Sequence, residues 1–226
     1  MTHNENKYAS IIKGKVNDHI SSEINSDTID QIVKVNLVQS HLNDKRSASF
    51  QIYYFNILEN EEMFLSSYNF FKQFRSHYSL RSSDNKFVEQ LERNKESILN
   101  HIKEDKLAEL YFAMFSKVKI KHLMWTIEKD QGSFFAKLVH TFRPYEYCAL
   151  DNPIKAYFGL KNESFFSSFY IISNAYKIWA ADNKEIMTNI KNEFKKHDSE
   201  SILNFERMSD LKLLDLIFWS KANRHS

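Results

Sequence analysis

Glycine and proline are scarce in this chain, three and two among 226 residues. Tight hairpins rely on them for special backbone angles, so a sheet-rich fold with many turns is disfavoured and an all-α fold is expected. A single cysteine, Cys148, leaves no internal disulfide and no thiolate cluster for zinc or iron–sulfur, and it suits a reducing cytoplasm. No run approaches the roughly 20 apolar residues of a membrane span, and Met1-Thr-His-Asn-Glu-Asn-Lys7 has no signal-peptide core, so an unexported, cytoplasmic protein without a membrane partner is expected. Charge of one sign is not in excess either. With 31 Lys and Arg against 29 Asp and Glu, any nucleic-acid contact must come from a local patch. None of the nine histidines pairs at a spacing of three or four, so no metal is expected. Gly-rich phosphate loops, Gly-x-Ser-x-Gly and kinase motifs are missing, which leaves no cofactor to expect. The Arg-x4-His pattern of one large class of helical ribonucleases is absent too.

What is abundant is aromatic and aliphatic mass. Nineteen Phe and eleven Tyr stand in a chain that is 42% hydrophobic, enough for a sizeable core with a few rings left to stack on a ligand. Helical spacing is legible from Ile29 to about Leu42, from Glu61 to Tyr78, and after Ser83-Asp84 through Phe87, Val88, Leu91, Ile98 and Ile102. Residues 1–25 predict a loosely ordered start with one short helix, and the dense apolar run 50–58 is read as helix. Lys106 to about Lys129 predicts one longer helix, although Val118 to Lys121 alternates as a strand does. Further helices are expected at Ser133–Phe142, Glu163–Ala180, Asp182–Lys196 and Ser209–Trp219. The whole, residues 1–226, is expected to form a single globular unit.

The stretch from Lys137 to Leu160 carries the most chemistry. Asp151-Asn152-Pro153 predicts a helix start, with Asp151 or Asn152 as cap and an end near Gly159. Two roles are open to Asp151. It can cap that helix, or it can supply a fixed negative charge that stabilises positive charge developing on a bound substrate. Lys137 has a similar pair of options: an ordinary lysine reaching water from beside the stripe Phe134, Phe135, Leu138, Val139, Phe142, or a desolvated amine nucleophile.

In order, Ser133-Phe-Phe-Ala-Lys137, His140-Thr-Phe-Arg-Pro144, Tyr147 and Asp151 resemble the lysine helix and aspartate corner of the helix-hairpin-helix DNA glycosylase superfamily, closest to bacterial proteins similar to oxidised-guanine glycosylases. The closing run Ser209–Trp219 is a second, weaker likeness, and the matching stretches cover about residues 120–222. The chain departs from the family pattern in having only Gly132 where a Gly-x-Gly turn is usual, and in a shorter lysine-to-aspartate spacing. The resemblance implies a compact two-lobed helical arrangement, with 1–110 a lobe of unrecognised type and 111–226 the glycosylase-like region. It implies Asp151 and Lys137 as catalytic residues, acting on double-stranded DNA with one nucleotide flipped out. His140, Phe165, Phe169, Tyr170 and Trp219 are then the candidate base-pocket residues. Lys117, Lys119, Lys121 and Ser133 are the candidate DNA-backbone contacts. The alternative is a catalytically silent helical module that binds DNA or another protein.

Overall fold

The computed structural model describes residues 3–43, 61–80, 83–122, 125–198 and 208–224. Twelve helices and one two-stranded ribbon make up these residues, so the fold is all-α as composition predicts. Among them no helix is long and apolar enough to cross a membrane.

Helix α1 (His3–Glu23) is longer than the sequence predicts. Ile12, Val16 and Ile20 fall at four-residue steps, all are buried, and Ile24 just past the end continues the stripe. Helix α10 (Phe165–Asp182) covers that stripe, and Trp179 Nε1 donates to Ser21 Oγ at 3.0 Å. Tertiary cover, which local composition does not reveal, turns a polar segment into a full helix. Helix α2 starts as a 3₁₀ turn (Ser26–Thr28) capped by Asn25, rather than by Ser26 or Asp27, and runs through Ile29–Gln31 into the π-helical Ile32–Leu42.

The helix expected over Glu61–Tyr78 is two, α3 (Glu61–Ser66) and α4 (Phe70–His77), because Asn69 adopts a left-handed φ of 65° between them. Asp84 caps α5 (Asn85–Arg93) by accepting the Phe87 N–H at 2.9 Å, and α6 (Lys95–Lys103) follows across Asn94. The helix read over 50–58 lies outside the described residues.

A larger correction concerns Lys106–Lys129. Helix α7 (Leu107–Leu110) widens into a π turn at Tyr111–Phe115 and stops. Lys117 turns the chain with φ 50°, and its N–H donates to the Asp130 carboxylate at 2.8 Å. An antiparallel ribbon follows, β1 (Val118–His122) against β2 (Trp125–Lys129), with Ile120 opposite Ile127 and Lys119 opposite Glu128. The alternation at Val118–Lys121 was the true local signal, and the helical period upstream simply ends at Phe115.

Helix α8 (Gly132–Phe142) is the axis of the molecule: nine of its eleven residues are buried. Gly132 is required at its start, since a Cβ there would lie 2.2 Å from the Phe165 ring. Phe134 meets Phe71, Phe74, Phe87 and Phe115, while Phe135 meets Tyr111, Phe115 and Phe169, so most aromatic rings are core. After the corner at Arg143–Leu150 come α9 (Asn152–Tyr157), α10, α11 (Lys184–Lys195) and α12 (Asp210–Arg224). Helix α12 packs against α2, α9 and α10, with Phe218 stacked on Tyr176 at 5.8 Å. One hydrophobic core runs from Ile12 to Phe218.

Candidate active site

The site grows from two local decisions in the chain. The first is the cap on α9. Asp151 is extended (φ −130°, ψ 173°), its Oδ1 accepts the Ile154 N–H at 3.1 Å, Pro153 sits in the first turn, and Gly159 closes the segment at φ 73°. That leaves Oδ2 for other work. The second is the corner before it. Arg143 donates to the Ile102 carbonyl at 3.3 Å and to Asp105 at 2.5 Å, and it pairs with Glu146; Tyr147 donates its hydroxyl to the same Asp105 at 2.7 Å. The loop at the end of α6 therefore fixes where Tyr147-Cys-Ala-Leu150 delivers the aspartate.

Lys137 reaches that aspartate from the middle of α8. Its Nζ lies 3.6 Å from Asp151 Oδ2 and 3.4 Å from the Ala149 carbonyl, with the Tyr78 ring centroid 5.5 Å away. Both contacts exceed the roughly 2.7–2.9 Å of a tight charge-assisted bond, so the ammonium is held loosely. Only 10% of the lysine side chain and 12% of the aspartate's are exposed. A lysine beside an apolar stripe usually finds water, but α8 is surrounded and offers no wet face, so the amine turns to the carboxylate instead.

Beneath this pair lies a second one that sequence reasoning missed. Lys212 and Asp215, three apart on α12, are 2% and 5% exposed. Burial pulls the Lys212 ammonium down to about 8, with Asp215 opposing the shift and Lys137 adding to it. Burial pushes the Asp215 carboxyl up to about 6, with Lys212 and Lys137 opposing and Asp151 reinforcing. Asp215 Oδ1 has no hydrogen-bond partner among the described residues. The signal was present in the sequence as two charges inside the apolar run Leu211–Phe218, which a helix with a wet face would not need to explain.

His140 is expected among the base-pocket residues, yet it is fully buried and its Nδ1 lies 2.6 Å from the Tyr147 carbonyl. Burial and the nearby Lys212 hold the imidazole neutral, its pKa lowered to about 3. As a neutral donor to that carbonyl it braces the corner. Cys148 sits alongside, its N–H donating to Ser173 Oγ at 3.0 Å, and burial pushes its thiol up to about 12.

The other expected pocket residues are dispersed. Phe169 is core, stacked on Tyr147 at 5.2 Å; Phe165 fills the space over Gly132; Tyr170 is half-buried against Tyr147 and Phe166. Trp219 lies on α12, half-exposed, against His41 at 5.6 Å. The aromatic ring nearest the Lys137 amine among these contacts is Tyr78, which sequence distance hid. Of the expected backbone contacts, Lys117 and Lys119 are exposed on the ribbon, and Ser133 is half-buried in the first turn of α8. The Lys121 side chain lies outside the described residues. An open hollow lined by Glu96, Ser97, Asn100, His101, Glu104 and Lys106 includes no member of the buried group.

Compared with protein-family models, curated proteins and solved structures, the chain matches none.

Proposed function

We propose that this protein is a DNA glycosylase-like enzyme that extrudes a damaged or modified nucleotide and cleaves its N-glycosidic bond, in repair or in defence against phage with modified DNA. The observation that carries the reading is the lysine–carboxylate pair, Lys137 Nζ 3.6 Å from Asp151 Oδ2, brought together from the central helix and a helix cap and only slightly exposed. Perturbed ionisable groups concentrate around it, as they do at sites of proton and charge chemistry.

As the C1′–N bond breaks, its electron pair leaves with the base, which takes up a proton, and positive charge builds on the sugar. The Asp151 carboxylate stabilises that cation and accepts a proton from the water whose oxygen adds to C1′. Should Lys137 attack as the neutral amine instead, the nitrogen bonds to C1′ and a Schiff base forms as the sugar ring opens, which allows strand cleavage.

Incubation with duplexes containing oxidised guanine and with modified phage DNA, followed by alkali treatment, tests the proposal. Asp151→Asn keeps a capping side chain and is expected to lower base release about 10²- to 10³-fold. Borohydride trapping that vanishes in Lys137→Ala identifies the amine route, and base release that survives in Lys137→Ala identifies the water route. Binding of DNA with no base released from any substrate overturns the enzyme and leaves the silent helical module.

A further inference from the structure

The ribbon that replaces the expected helix stands two residues ahead of α8, and among the described residues it is the one sheet. Ile120, its one buried residue of known side-chain burial, seats it on the body, and Lys119 faces away from that side. In an antiparallel pair, directly opposed residues share a face, so Ile127 lies on the face of Ile120, with Trp125 two residues on along the same face. That apolar face continues past the body: Ile127 is 41% exposed and Trp125 71%. Ile127 and Trp125 thus give the ribbon an apolar face that the described residues leave largely uncovered.

The charge around it selects the class of partner. Lys117, Lys119 and Lys129 are exposed on the ribbon and its base, while Asp130 is engaged at that base by the Lys117 N–H and by Ser116 Oγ at 3.3 Å. Glu128 is the other exposed carboxylate of the ribbon, opposite Lys119. Lys129, opposite Val118, is exposed on the same face as the indole, and a cation beside a flat ring matches a strand whose phosphates carry charge and whose bases offer flat faces.

The position is rigid as well. Gln131 N–H donates to the Phe115 carbonyl at 2.7 Å, closing the ribbon's base immediately before α8 begins. Lys137 then follows Gly132 by five residues, about 7–8 Å along the helix axis.

We propose that this ribbon is a DNA-gripping element: Lys129, on the face of Trp125, and Lys117 at the ribbon's base contact backbone phosphates, and Trp125 stacks on a base face of the bound strand. The inference rests on the DNA-directed reading above and adds the element and the stacking residue to it.

Equilibrium binding to a fluorescein-labelled duplex carrying one tetrahydrofuran abasic analogue tests it, since no base can leave that probe and binding is separated from excision. Trp125→Ala is expected to weaken binding about tenfold, Trp125→Phe to restore most of it, and Lys129→Gln to lower the slope of log K against log salt by about one. Trp125 is exposed, and unchanged circular dichroism melting checks that the variant folds. If the wild-type chain binds the duplex and Trp125→Ala binds equally well, the ribbon proposal falls and the functional reading stands. If the wild-type chain binds no DNA at low salt, the functional reading itself falls and takes the ribbon with it. Loss of self-association in Trp125→Ala, with DNA binding unchanged, assigns the ribbon to a second copy of this chain and also overturns the proposal.

Discussion

Replacing Lys212 and Asp215 together, by Met and Leu, should make the protein more stable at neutral pH. Burial lowers the lysine from 10.5 to about 8 and raises the aspartate from 3.8 to about 6. At about 1.4 kcal/mol per unit, each shift represents about 3 kcal/mol of lost stability where the group is charged in the unfolded chain. The lysine's folded pKa lies below its unfolded value, so stability is full above pH 10.5 and is lost as pH falls toward 8. The aspartate's folded pKa lies above its unfolded value, so stability is full below pH 3.8 and is lost as pH rises toward 6. Both losses are complete between about pH 6 and 8. Apolar side chains relieve them, and imperfect fit returns part of the gain, so about 1–4 kcal/mol of net stabilisation is expected at pH 7. Urea denaturation at pH 4.5, 7 and 9.5 reads it: the difference between double variant and wild type should be largest at pH 7. Each single variant, leaving one buried group without its counter-charge, should be less stable than the double. A double variant that loses the sum of two single-variant losses, with no pH dependence to the difference, would refute the argument.

The remaining expectations are local. Gly132→Ala drives a methyl into the Phe165 ring and should lower stability by about 1–3 kcal/mol in thermal or urea melts, the ring being held between packed helices. Cys148, buried with its thiol pushed up to about 12, should resist iodoacetamide at pH 8 in the native protein and react at once in urea; rapid native alkylation would contradict the packing. His140 stays neutral in the fold down to about pH 3, so its contribution to stability should fall as pH drops from 6.5 toward 3, by about 5 kcal/mol at the end of that range, against about 3 kcal/mol regained as Asp215 protonates below pH 6. His140→Asn should remove most of that slope in an acid titration followed by circular dichroism.

Much of the helix pattern was legible because its causes are local. Asp84 and Asp151 announce their caps, Gly159 ends α9 with a positive φ, and the helices at Phe165–Asp182 and Lys184–Lys195 fall close to their expected bounds. What was misread depended on contacts between distant segments. Helix α1 owes its length to α10, and the break at Asn69 arises where the chain turns between α3 and α4. The ribbon formed without glycine in Val118–Lys129, so no turn residue marked it, and only the alternation at Val118–Lys121 hinted at it.

By itself the sequence determined the all-α class, the capped corner at Asp151 and the presence of a lysine one helix earlier, since capping, periodicity and the shortage of turn residues act over a few residues. Tertiary structure alone decided that Lys137 meets Asp151, that Lys212 and Asp215 lie beneath them, and that His140 is enclosed. Whether a charged side chain is wet or buried depends on which helices surround its own, and that is a property of the packed chain rather than of any segment of it.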